Sequence, residues 1–192
     1  MAADSSTGRS LLIVLVAFAV VSLAIAAYAF YGRKAPASAG EVLSVRLYPI
    51  HRNLATPGSV NGLGGQAEEF DEMLVFANVR IENRSQEPLL LQDMWSTVEL
   101  PDNVERSTDV SQSDFDKVFV AYPATQVARK APLRRDVAIP PGQQQEGLMI
   151  FHYELSRATW DSRKSMHIVI SFQNQNDLLL TVPPEVFSAY SH

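Results

Sequence analysis

Four histidines, a run of glycines, a basic cluster and two tryptophans are the residues of this 192-residue chain with chemistry to offer. His51, His152, His167 and His192 have no metal-ligand spacing; His152 and His167 fall on neighbouring predicted strands, where alternation with apolar residues reads as ordinary solvent-facing or hydrogen-bonded imidazole. Gly58, Gly62, Gly64 and Gly65 resemble a phosphate loop only in composition. Such a loop needs a strand before it, a helix N-terminus after it and a lysine at the phosphates. Here Glu68, Glu69, Asp71 and Glu72 follow and lead into a strand, so the stretch is read as a flexible hairpin loop. No nucleophile elbow and no selectable pair of catalytic carboxylates is present, so no enzyme activity is expected. No cofactor and no metal is expected either.

Cysteine is absent, which removes disulfides, thiolate zinc and thiol nucleophiles from consideration. A formal net charge of -5 gives no basic excess for nucleic acid. Arg129, Lys130, Arg134 and Arg135 form a local basic patch around Pro132, suited to an acidic partner or anionic lipid head groups and more commonly a solvated loop. Trp95 stands out of phase with Met94, Ser96 and Val98, so it belongs to the outer face of its strand. An apolar helix or a partner must cover it. Asn83-Arg84-Ser85 has the form of a glycosylation sequon and reads here as a turn.

The elements that carry these residues begin with an apolar run. Residues 11–31 hold about 20 positions without a charge, enough at about 1.5 Å each to span about 30 Å of hydrocarbon. The organisation expected is a cytoplasmic tail (1–10), a transmembrane helix (11–31), a linker (32–41), a β-sandwich (42–183) and a C-terminal tail (184–192). A cleaved signal peptide is the alternative. Ala27-Tyr28-Ala29 and Ala37-Ser38-Ala39 have the small-x-small form of a cleavage site, but the length of the run and the following Arg33 and Lys34 favour a retained signal-anchor. The expected placement is single-pass, N-terminus inside and domain outside, periplasmic or on the cell surface. Ala19, Ser22, Ala26 and Ala29 make a small-residue stripe fit for helix pairing.

Beyond residue 41 the period changes from helical to two-residue alternation. Strands are predicted over 43–47, 75–81, 89–100 with a bulge near Gln92-Asp93, 136–139, 147–155, 166–172 and 178–182. Ser113-x-x-Asp116 resembles a weak capping box, and Phe115, Val118, Phe119 and Tyr122 then form one apolar helical face. That face is expected to pack over Trp95; its rival role, with Trp95, is a docking surface. Ser156 is expected to cap a single helical turn holding Trp160. Seven strands and short helical connections predict a mainly β fold, an immunoglobulin-like antiparallel sandwich.

Val79-Arg-Ile-Glu-Asn-Arg-Ser with Pro88-Leu-Leu-Leu, and later Ile139-Pro-Pro-Gly-Gln with Gly147-Leu-Met-Ile-Phe, resemble bacterial membrane-anchored, immunoglobulin-like extracytoplasmic domains. The resemblance spans 42–183, lacks the Cys and Trp arrangement of antibody domains, and brings no catalytic residues. It implies a membrane-anchored binding or accessory module contacting another envelope or membrane protein. The alternative is a structural or assembly subunit that acts through its transmembrane helix. No oligomeric state follows from the sequence.

Overall fold

The computed structural model describes residues 5–31, 36–54 and 68–189. Two compact units divide between Ala35 and Pro36. The first carries one helix, α1 (Ser5–Tyr31), so residues 5–10, expected as a tail, are helical. Side chains on α1 are described from Val14 to Tyr28 and are exposed throughout.

The transmembrane helix expected over 11–31 is corrected here: among the described residues no helix is long and apolar enough to cross a membrane. The anchor is therefore withdrawn from the architecture.

Among the described residues the second unit is mainly β, with two four-stranded sheets. Its strands are β1 (Ser38–Leu54), β2 (Glu68–Asn83), β3 (Leu91–Glu99), β4 (Val104–Thr108), β5 (Gln144–Tyr153), β6 (Ser165–Phe172), β7 (Leu178–Thr181) and β8 (Phe187–Ala189). The first sheet has the order β5-β2-β1-β8, the second β4-β3-β6-β7. All pairings are antiparallel except β1 with β8. Two helices join them, α2 (Gln112–Ala121) and α3 (Arg157–Asp161).

Alternation decides what is buried. Val75, Ala77, Val79 and Ile81 of β2 are all fully buried, as are Met94 and Val98 of β3 and Ile168 and Ile170 of β6. They belong to one core shared by both sheets. The Tyr153 hydroxyl on β5 bonds the Ser96 hydroxyl on β3 across that core, and burial raises the phenol above its ordinary range. Trp160, fully buried, packs at 5.7 Å from Tyr153. Ser156 caps α3 as expected, its hydroxyl accepting from the Thr159 amide at 3.1 Å.

Several boundaries differ from the sequence reading. β1 starts at Ser38, inside the expected linker, and β8 lies inside the expected tail. Residues 136–139 form no strand: only Ile139 bridges, to Leu89. β4 was not anticipated. The β3 bulge is present, as a register shift between Leu91 and Asp93. The glycine-rich stretch 58–65 lies outside the described residues.

α2 lies on the first sheet, not over Trp95. Phe115 and Phe119 are buried with Phe76, Leu148 and Ile150, outward-facing residues of β2 and β5. The Phe119 ring sits 5.8 Å from Phe76 and 5.3 Å from Phe115. Phe76 alternates with the core positions, so only a cover on the outer face could bury it. α2 starts two residues earlier than the suggested box, with Ser111 at the N-cap and its hydroxyl donating to Asp114 rather than accepting from a backbone amide.

Candidate interaction surface on the outer face of the second sheet

With α2 on the first sheet, the outer face of β4-β3-β6-β7 carries Trp95 without a helical cover. Strand register builds the face in rows. Thr108, Trp95, Val169 and Leu179 make one row across all four strands. Arg106, Thr97, His167 and Thr181 make the next, and Val104, Glu99 and Ser165 the third. The flanking Ser96 and Ile168 point into the core, so this outward set is fixed by the two-residue period.

The centre of the face is an aromatic-cation pair. The Arg106 guanidinium lies 4.5 Å from the centroid of the half-buried Trp95 ring. Among the described residues no carboxylate pairs with Arg106, whereas Arg80, Arg84, Arg129, Arg134 and Arg135 each have one. Around that centre, Val104 and Leu179 are 64% and 61% exposed. His167 Nδ1 is 3.2 Å from the Thr181 hydroxyl, and Ser165 donates to Glu99 at 3.0 Å. The face thus joins apolar and neutral polar groups with few charges, the composition enriched at the centres of protein interfaces.

The other residues singled out from sequence fall elsewhere. Phe115 and Phe119, at 5% and 1% exposure, are core and not contact surface. Arg129 lies over the Phe119 ring and pairs with Asp116 at 2.8 Å. Lys130 faces Glu146 at 3.6 Å, Arg134 grips Asp136 at 2.7 Å, and Arg135 reaches Asp109 at 3.5 Å. The hydrogen bond from Arg134 holds the Asp136 carboxyl below its ordinary range. The expected basic patch is therefore a set of ion pairs, since each cation folds back onto an acid. Ala19, Ser22 and Ala26 are exposed on α1, and the Ala29 side chain lies outside the described residues.

His152 and His167 do not meet. One is on the outer face of the first sheet, the other on that of the second. His152 Nε2 lies 3.3 Å from Glu72, and no group of three or more metal-ligating residues occurs among the described residues. Asp109 is the buried carboxylate of note. Burial pushes its pKa up to about 6 against the opposing pull of the Ile150 amide and Arg135. It accepts from the Ile150 amide at 2.8 Å, a structural bond at the edge of β5.

Arg106 and Val104 were missed from sequence because β4 reads Val-Glu-Arg-Ser-Thr, with no apolar alternation. The signal that marks it is the Pro101-Asp102-Asn103 turn after β3, which sends the chain back alongside.

No family model matches the chain, and no curated protein matches it. Among solved structures, the chain is similar to one described as the X-ray structure of Northeast Structural Genomics Consortium target SoR45. The two share 9% identity over 78% of this chain and 94% of the other, at a TM-score of 0.28. A likeness that low carries no argument about fold or function.

Proposed function

We propose that the chain is a binding or accessory module that contacts another protein through the outer face of its second sheet. The observation that carries this reading is the Trp95-Arg106 pair: a large aromatic ring and an arginine without a carboxylate, on a sheet face with few charges. Trp and Arg dominate the energetics of protein contacts when a partner desolvates them. Arg106 selects for an acidic group on that partner, which would complete an ion pair beside the ring.

We also propose an immunoglobulin-like wiring for the sandwich. Support comes from β1, β2 and β5 sharing one sheet while β4, β3, β6 and β7 form the other. This corresponds to strands A, B and E against C′, C, F and G.

The test compares partner capture from native extracts by the wild-type chain, Trp95→Ala, Arg106→Glu and a control, Arg84→Glu, in the turn that follows β2 of the other sheet. Capture lost in the first two and kept in the control supports the proposal. Equal capture by all four rejects it.

A second reading has one observation in its favour. Val14, Phe18, Leu23 and Ile25 of α1 are 67%, 72%, 73% and 63% exposed. In that reading the chain is an assembly subunit whose N-terminal helix is the contact. A chain beginning at Pro36 separates the two: capture persists if the sheet is the contact and vanishes if the helix is.

A further inference from the structure

The Trp95 face ends at an open strand edge. Among the described residues β4 pairs only with β3 and is the last strand of its sheet. Its ladder is fixed at both ends. The Leu100 amide donates to the Asn103 carbonyl at 2.8 Å, and the Asp109 amide donates to the Met94 carbonyl at 3.0 Å. Bonded and non-bonded pairs alternate along an antiparallel ladder. The bonded pairs between those ends are therefore Val98 with Glu105 and Ser96 with Ser107. The backbone N–H and C=O groups of Val104, Arg106 and Thr108 then point away from β3. The Thr108 carbonyl has a loose contact from the Ser107 hydroxyl at 3.4 Å, and no other bond to these groups occurs among the described residues.

The same three residues carry their side chains on the outer face, because Glu105 and Ser107 turn the other way, half-buried and buried. A strand added along β4 places every second side chain on that face, beside Arg106 and next to the Trp95 row. The fold closes a comparable edge on β5, where the Leu148 backbone bonds Ala131 and Leu133. β4 has no such cover among the described residues.

Charge selects the occupant. The Arg106 guanidinium rests on the Trp95 ring with no acid beside it among the described residues. A carboxylate directly opposite Arg106 completes a cross-strand ion pair. The nearby acids are directed elsewhere. Glu99, one strand further in, accepts from Ser165 at 3.0 Å, and Glu105, on the opposite face of β4, accepts from Asn103 at 2.7 Å. A second copy of β4 in the full-length register sets the two Arg106 side chains opposite each other, a destabilising like-charge pair. Val104, 64% exposed, suits an apolar neighbour.

We infer, resting on the contact proposed for this face, that β4 receives an extended segment of another protein as an added antiparallel strand. The segment carries a carboxylate opposite Arg106 and, two residues further on, an apolar side chain opposite Val104. Its alternate residues avoid acids, since they lie beside Glu105.

The test titrates the intact 192-residue chain with the blocked peptide acetyl-Ser-Thr-Thr-Glu-Lys-Val-Ser-amide and follows backbone amides by nuclear magnetic resonance. Its glutamate falls opposite Arg106, its valine opposite Val104 and its lysine beside Glu105. The Val104, Arg106 and Thr108 amides should shift on one saturation curve, with hydrogen exchange slowed at all three. Methylating the glutamate nitrogen removes the donor to the Arg106 carbonyl and should weaken binding about tenfold. Methylating the lysine nitrogen, which points away from β4, should leave binding unchanged. Glutamine in place of the glutamate should weaken it about threefold, as for an exposed ion pair, and Arg106→Glu should remove that preference. Equal weakening by the two methylations, or shifts at Trp95 without the three edge amides, overturns strand addition. So does the absence of a saturable shift up to about 10 mM, a decade above a millimolar Kd. These failures are distinct from failure of the proposed contact, which is judged by partner capture with Trp95→Ala and needs no peptide binding.

Discussion

At the scale of single residues, Asn83 shows how a sequon-like triplet becomes a structural staple. It is fully buried, and its Nδ2 donates to the carbonyls of Glu87 at 2.8 Å and Ile139 at 2.7 Å. Its Oδ1 accepts from both the amide and the hydroxyl of Ser85. Every hydrogen-bonding capacity of the amide is used. The Asn83 carbonyl also accepts from the amide of Gly142, whose φ of 71° sits in the Pro140-Pro141-Gly142 turn as a type II turn requires. Asn83→Ala leaves two backbone carbonyls without their donor and should cost about 3 kcal/mol in chemical denaturation. A loss below about 0.5 kcal/mol, the range of ordinary surface changes, would contradict the network. The sequence disclosed the turn through residue type, but not the burial, which depends on Ile139 arriving from 56 positions away. Trp95 was legible in the same limited way: alternation placed it outward, while Arg106, its partner, sat in a strand with no apolar signal.

At the scale of elements, the exposed edge of β5 is closed by pieces of loop. The Leu148 amide donates to the Ala131 carbonyl, the Leu133 amide to the Leu148 carbonyl, and the Val110 amide to the Ile150 carbonyl. Asp109 accepts from Ile150, and the Ser107 hydroxyl accepts from the His152 amide at 2.9 Å. Gly147 permits this approach, since a Cβ there would lie 2.4 Å from the Leu133 Cα. Edges treated so offer no template to another strand. Asp109 ties this closure to pH. Its folded pKa near 6 exceeds the ordinary 3.8, so the folded chain binds the extra proton between about pH 4 and 6. The associated stability is present in full below pH 4 and is lost as pH rises through 6, by about 3 kcal/mol at most. Asp109→Asn keeps the acceptor and removes the charge. Its stability relative to wild type should therefore rise between pH 4 and 6 in urea titrations; parallel profiles would refute the assignment.

α2 makes the companion case. Its apolar face was legible from the spacing of Phe115 and Phe119, but its destination was not. Phe76 held the clue, as a large aromatic at an outward position of β2. Phe119→Ala should cost about 3 to 5 kcal/mol as a cavity opens against Phe76 and Phe115. Arg129→Ala, which strips an exposed cation from the same ring, should cost below about 1 kcal/mol. Similar losses in thermal or urea denaturation for the two would show that α2 is not packed as described.

At the scale of the whole molecule, the two sheets use their outer faces differently. The first buries part of its outer face under α2 and carries a charge ladder elsewhere, Glu41 to Arg80 at 2.8 Å and Arg80 to Glu146 at 3.2 Å. The second leaves its outer face to solvent, with Trp95 at its centre. Alternating strands made the mainly β architecture readable, because each inward set is continuous and apolar. The division of labour between the faces was not readable, because it depends on which sheet a strand joins. The N-terminal run was misread as a membrane span: among the described residues no helix is long and apolar enough to cross.

The asymmetry between faces is the central claim, and site-directed photo-crosslinking in living cells tests it most directly. A crosslinking residue at Thr97, in the middle of the second sheet's outer face, is compared with one at Glu82 on the first sheet. The account predicts a discrete adduct from Thr97 that Arg106→Glu abolishes, and none of that mass from Glu82. Adducts of equal yield from both positions, or a Thr97 adduct indifferent to Arg106→Glu, would contradict it.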